Sequence, residues 1–323
     1  MREYGFELAL CATLEQSRTD SLVSRQIGAA VATPGNRIAD IVCVEAGEEF
    51  DRRAAITAET IPDSLLDAQI GPGGWTPVST LSESAQRAVD RGVEIGYLEQ
   101  TYRGGRWLVR SVCRYPDWFA DLLLIENKPT LDRPGALMDQ VQLDASLAVV
   151  DRVVVATADY VTGAHLNRLP EAVGVWRIHD TPTQPRIEVV RSPQHLATQS
   201  PGIEPMAKHA GRTDIAIVSP AAKERARRRI AERAYGKGWR RHLPACDECD
   251  PEASPLEATV PWCQWASRIV DPARDCGPEC SGHSPGDGPP SSLDQERAER
   301  TLWRHNPSGL QRRQAGFSTF RSE

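Results

Sequence analysis

Apolar residues near the start of the chain recur at helical spacing, with Phe6, Leu10 and Leu14 on one stripe of a helix expected over 6–16. Past a polar loop the pattern changes: Val23 to Thr33 leads to a turn at Pro34-Gly35-Asn36. A strand over Arg37 to Val44 follows, closed by Gly47. Residues 48–79 are polar and end in a Gly/Pro-rich stretch, after which an amphipathic helix runs from Ser82 to about Arg91. Residues 97–110 read as a β-hairpin turning on Gly104-Gly105. The runs Asp121 to Ile125 and Asp151 to Thr157 are nearly all apolar, as strands buried on both faces should be. Between them a helix opened by Gly135 extends to about Val150. A short helix at 161–169 then leads to a strand at 173–178, which pairs with Ile187 to Val190. The order from 121 onward is β-α-β-α-β, an α/β architecture.

With 323 residues the chain has room for more than one domain. No segment looks like a signal peptide, and no apolar run approaches the roughly 20 residues of a membrane span. The expectation is a cytoplasmic protein without a membrane partner. Net charge is −6, unevenly spread: residues 221–242 hold nine Lys/Arg against Glu224 and Glu232. A basic strip on an acidic body suits a nucleic-acid partner, DNA more than RNA, with Arg225, Arg228, Arg229, Arg233, Lys237 and Arg240 contacting phosphates. The plainer reading is a helix face that is solvated or docked on the acidic body. The helix followed by an Arg-bearing hairpin looks like half of a winged helix, with Arg103 and Arg106 in the wing. Any helix–hairpin unit would give the same pattern.

Lysine is scarce: four residues against 34 arginines, one of them in Ile125-Glu126-Asn127-Lys128 at the end of the apolar strand. Residues i and i+2 of a strand share a face, so Glu126 and Lys128 present a carboxylate and a compact, pKa-adjustable ammonium side by side. That pair suits a divalent cation and a positioned water beside a phosphodiester. A surface ion pair is the structural alternative, contributing about 0–1 kcal/mol.

Cysteine use splits in two. Cys11, Cys43 and Cys113 sit among apolar neighbours as ordinary thiols, while Cys246, Cys249, Cys263, Cys276 and Cys280, with His283, crowd into one short segment. Such density in a protein expected to be cytoplasmic argues for metal: Zn²⁺, or alternatively a [4Fe-4S] cluster, since four thiolates serve either.

Together the strand Arg37-Ile38-Ala39-Asp40-Ile41-Val42, the triplet Glu126-Asn127-Lys128 and the helical Glu7 resemble the PD-(D/E)XK nuclease superfamily. Residues 151–178, with Leu169-Pro170-Glu171-Ala172-Val173-Gly174-Val175, resemble MmcB-type DNA-repair proteins of that superfamily. The whole chain resembles a haloarchaeal family of uncharacterised proteins. The resemblance implies a restriction-endonuclease-like core sheet flanked by helices. It also implies Mg²⁺ or Mn²⁺ held by Asp40 and Glu126, with Lys128 positioning water and Glu7 as the helical acid. Asp117 is the alternative to Asp40, because Pro116-Asp117 reproduces the literal dipeptide and lies nearer Glu126 in sequence.

The organisation expected is therefore a nuclease-like core at 1–47 and 116–192 and an inserted winged-helix-like segment at 48–115. A connector with the Arg-rich helix at 193–242, a Cys/His metal module at 243–285 and a partly disordered tail at 286–323 complete it. The functional expectation is a metal-dependent nuclease acting on DNA in repair or defence. The alternatives are a non-catalytic nucleic-acid-binding protein that uses the wing and zinc module, and an RNA-processing nuclease.

Overall fold

The computed structural model describes residues 2–32, 37–54, 62, 64–65, 68, 70–71, 73–94, 97–111, 117–132, 136–179 and 185–304. The turn at Pro34-Gly35-Asn36, the helix start at Gly135, Cys113 and the tail beyond 304 fall outside them. Along the chain run α1 (Glu3–Ser17), β1 (Ser21–Gly28), β2 (Ile38–Ala46), α2 (Phe50–Ala54), β3 (Thr76–Pro77), α3 (Glu83–Glu94), β4 (Leu98–Arg103) and β5 (Arg106–Ser111). Next come β6 (Phe119–Asn127), α4 (Leu137–Leu147), β7 (Arg152–Thr157), α5 (Gly163–Arg168), β8 (Gly174–His179) and β9 (Arg186–Arg191). The chain continues with β10 (Gly202–His209), β11 (Arg212–Val218), α6 (Pro220–Lys237), β12 (Trp262–Cys263), β13 (Arg268–Ile269), α7 (Pro272–Asp275) and α8 (Leu293–Arg300). Among these residues none forms a helix long and apolar enough to cross a membrane.

The chain divides into two compact units, one of Met1–Ala46 and Phe119–Leu302, the other of Gly47–Trp118 with the segment from Trp303 onward. The first holds a mixed six-stranded sheet among its described residues, in the order β1-β2-β6-β7-β8-β9. β2 runs antiparallel to β1 and β6, β6 and β7 are parallel, as are β7 and β8, and β9 returns antiparallel. β6 is central because Leu122 to Ile125 can be buried on both faces at once. Alternation then assigns the faces. Ile41, Cys43, Leu123, Ile125, Val154 and Ala156 form one core with Phe6, Leu10 and Leu14 of α1. Asp40 and Glu126 consequently project from the opposite face, where Asp144 of α4 is reached through Arg37.

Four expectations change. The supposed connector contains a hairpin, β10–β11, paired from Gly202↔Val218 to His209↔Arg212. The Arg-rich helix docks on the body: α6 starts at the Ser219 cap with Pro220 in its first turn, and ends at Gly238 (φ 62). Ala226, Ile230, Ala231 and Ala234 are buried along it. Within 286–323, residues 293–300 form α8, whose buried Arg297 donates to the carbonyls of Ala234 and Tyr235. The Cys-rich segment joins the first unit too, since Ala258, Val260 and Ile269 enter the core against α1.

In the second unit, α3 is followed by the β4–β5 hairpin, as the sequence pattern requires, and Thr76–Pro77 adds a short third strand beside β5. Leu65, Ala85, Val89, Leu98 and Val109 form its core.

Candidate functional site

The pairing Ile41↔Ile125 places Asp40 opposite Glu126 on neighbouring strands. Backbone bonds tie the two together: the Asn127 amide donates to Asp40 Oδ2 at 3.1 Å, and the Asp40 amide to Glu126 Oε1 at 3.4 Å. Lys128 follows directly after β6, with Nζ 3.6 Å from Glu3 Oε1 at the start of α1. Asp117 is excluded as the partner. It precedes β6, whereas Glu126 lies seven residues beyond the strand's first residue, ~23 Å away at the rise of an extended chain.

Glu7 is buried on α1, on the other side of the sheet. Arg25 Nε donates to Glu7 Oε1 at 2.6 Å, and Gln26 Nε2 donates both to Glu7 Oε1 at 3.2 Å and to Asp40 Oδ1 at 3.3 Å. Gln26 itself has φ 55, a left-handed conformation that costs energy in a residue with a side chain. Its amide thus spans the sheet edge between two carboxylates that face different sides. Glu126 is held separately. Arg37, only 3% exposed, donates from Nη2 to Glu126 Oε1 at 2.5 Å and to Asp144 Oδ2 at 2.6 Å, and from Nε to Asp144 Oδ1 at 3.0 Å.

Charge balance at this point is negative. Glu7, Asp40, Glu126 and Asp144 face two guanidiniums, Arg25 and Arg37. Burial, then the charge of Glu7, pushes Asp40 up to about 6; burial, with Asp40 and Asp144 adding to it, pushes Glu126 up to about 8. One guanidinium shared by three carboxylates cannot keep all of them ionised, so the direction follows from counting. A divalent cation would restore neutrality. The donor set fits Mg²⁺ or Mn²⁺ in kind, although Glu7, Asp40 and Glu126 do not bring three donor atoms within 4.8 Å of one another.

With a chelator present, folding stability should fall as pH rises from about 4 to about 8. Protonated Asp40 and Glu126 are favoured in the folded chain, so their contribution is complete below the unfolded carboxylate pKa of ~4. It is lost as pH climbs through about 6 and about 8. Denaturant titrations of Glu126→Gln should show a shallower slope across this window, and identical slopes would contradict the charge count.

Asp121, Asp151 and His195 are a three-donor group within 4.8 Å among the described residues. It is a poor metal site. Arg152 already pairs with Asp121 at 2.7 Å, and Arg227 and the Leu122 amide each bond Asp151 Oδ2 at 2.7 Å.

The Cys-rich segment folds around the β12–β13 hairpin, and Cys246, Cys263, Cys276, Cys280 and His283 line one pocket. Its thiols are free. Burial, then Cys276, Cys246 and Cys263, pushes the Cys249 thiol up to about 11; burial and Cys246, Cys263 and Cys280 push Cys276 up as well. Thiols that raise one another's pKa are the arrangement a cation reverses, so this donor set fits zinc or an iron–sulfur cluster in kind, although no three of its donor atoms lie within 4.8 Å of one another.

The basic strip is largely spent inside the protein. Arg229 donates to the Ala30 carbonyl at 2.6 Å, Arg233 to that of Gly28 at 3.5 Å, and Lys237 to that of Gln26 at 2.6 Å. The Arg240 side chain, 4% exposed, is clamped by Glu15 and Glu296, and Arg228 pairs with Glu224 one turn away. Arg225 is exposed. The docked-helix reading therefore replaces the phosphate strip for Arg229, Arg233, Lys237 and Arg240, while Arg225 and Arg228 stay at the surface. Arg103 and Arg106, by contrast, stand exposed at the β4–β5 turn. No local pattern marks Gln26, Asp144 or the bridging role of Arg37, since each acts through partners outside its own element.

A family model described as a family of unknown function, DUF5787, matches residues 22–285. No curated protein and no solved structure matches the chain.

Proposed function

We propose that this chain, which belongs to the DUF5787 family, is a metal-dependent phosphodiesterase acting on DNA, built on a restriction-endonuclease-like core. The observation that carries this reading is the surplus of buried carboxylate charge where Asp40 and Glu126 lie side by side, Glu126 two residues before a scarce lysine. The first metal carboxylate on one strand, Glu-x-Lys on its neighbour and an acid on the first helix make up the set the resemblance requires. Asp40 and Glu126 would hold Mg²⁺ or Mn²⁺, with Glu7 reaching Asp40 through Gln26. Bound metal would lower the pKa of water and neutralise phosphate charge. Lys128, half-buried and close to Glu3, supplies a compact cation for the charge that develops on the phosphate. Arg37 holds Glu126 in place and keeps it partly ionised.

The second unit supports the winged-helix-like part of this reading by its helix–hairpin order and its exposed Arg103 and Arg106. The pocket of cysteines supports a structural Zn²⁺, or a [4Fe-4S] cluster, in the C-terminal module.

The test is cleavage of plasmid and single-stranded DNA with Mg²⁺ or Mn²⁺. Lys128→Ala should lose about 10²–10³-fold in rate, the scale for removing one preorganised group that stabilises developing charge. Equal cleavage by wild type and variant would overturn the assignment. Binding without cleavage would make the protein a non-catalytic nucleic-acid binder, and cleavage of RNA only would move it to RNA processing.

A further inference from the structure

The tip of the β4–β5 hairpin carries two large rings that the core of its own unit does not use. Tyr102 and Trp107 are paired across the hairpin, 58% and 52% exposed, and meet edge to face with centroids 5.2 Å apart. Side chains two apart share a face, so these rings continue the face of Leu98 and Val109, both buried in the core. The hairpin outruns that core, and its apolar face is bare for the last pair. Gly104 (φ 58) and Gly105 (φ 76) close the turn in a conformation that side chains strain to adopt. Arg103 and Arg106 flank the turn on the other face. There the guanidiniums of Arg103 and Arg110 lie over Trp75, at 5.6 and 4.7 Å from the ring centre. The carboxylate on that side, Glu99, is paired with Arg110 at 2.5 Å.

Bare rings and unopposed cations at one tip match a polyanion with accessible π faces. We propose that the tip binds single-stranded nucleic acid, with unpaired bases stacking on Trp107 and Tyr102 while Arg103 and Arg106 hold the flanking phosphates. This rests on the nucleic-acid reading above and narrows it to unpaired strands, because in a duplex the base faces are occupied by their neighbours. A protein partner would be served by the rings but would have less need of arginines at the same tip.

Anisotropy titration of the full chain, without added Mg²⁺ or Mn²⁺ so that nothing is cut, decides the matter with a labelled oligothymidylate and the same strand annealed to its complement. The wild type should prefer the single strand. Trp107→Ala should weaken that binding about 5- to 140-fold, the equivalent of about 1–3 kcal/mol for one stacked base, and leave duplex binding unchanged. Trp107→Phe should restore most of the loss. Arg106→Ala should weaken both substrates and reduce the salt dependence by about one ion. A protein that favours duplex, or a Trp107→Ala variant that binds the single strand as the wild type does, overturns the inference. If metal-dependent cleavage persists in that case, the nuclease reading stands. Tight Trp107-dependent binding without cleavage under any metal would instead overturn the nuclease reading and leave this inference standing.

Discussion

Arg37→Ala will lower unfolding stability by about 3–5 kcal/mol at neutral pH, the scale for removing one partner from a buried ion pair. The guanidinium bonds both oxygens of Asp144 and one of Glu126, and also the Ile38 carbonyl. Truncation would leave two buried carboxylates with neither a counterion nor water. They would respond by binding protons, so the deficit should shrink on acidification. Arg37→Lys should recover only part of it, since a point charge cannot reproduce the fork that reaches two carboxylates. Guanidinium denaturation at neutral and mildly acidic pH would measure this. A loss below ~1 kcal/mol, as for exposed pairs, or a deficit indifferent to pH, would contradict the charge network.

On the proposed function, Cys276→Ser should cost the protein a structural metal. Structural zinc in small modules contributes an apparent ~10–16 kcal/mol of binding free energy that is also folding free energy. Here the consequence extends past the module, because Ala258, Val260 and Ile269 belong to the same core as α1. Elemental analysis should find zinc, or the visible absorbance of an iron–sulfur cluster, in the wild type and neither in the variant. A strong chelator should lower the thermal midpoint of the wild type and leave that of the variant unchanged. Cys11→Ala and Cys43→Ala, whose thiols are buried in the sheet core, should retain the metal. Equal metal content in wild type and Cys276→Ser would sink the assignment of this pocket.

Much of the sheet was legible because its strands advertise themselves. β6 and β7 are apolar on consecutive positions, and α1 carries a stripe at helical spacing. The β10–β11 hairpin escaped for a physical reason: its polarity is inverted. Ile203, Ile215 and Ile217 are exposed, whereas Glu204 is buried and accepts the amides of Val31 and Ala32 at 2.9 and 2.7 Å. Alternation read in the usual sense would put that strand the wrong way round. The basic helix misled in a similar way. Its composition is that of a phosphate-binding strip, but Arg229, Arg233 and Lys237 meet the backbone carbonyls of Ala30, Gly28 and Gln26, groups that no side-chain census includes.

By itself the sequence determined α1, β2 and β6 to β9 of the core, though not β1, together with the Glu126–Lys128 pair at a strand end and the clustering of thiols. Each of these is written in residues a few positions apart, where periodicity and spacing act directly. Only the tertiary structure decided that Asp40 rather than Asp117 stands beside Glu126, because strand register sets that distance and the two candidates differ by the length of a strand. It alone brought Arg37 to Asp144, 107 positions away, and set Gln26 between Glu7 and Asp40. Charge compensation is a matter of proximity in space. A sequence shows which charges exist, and the fold decides which of them are left without a counterion.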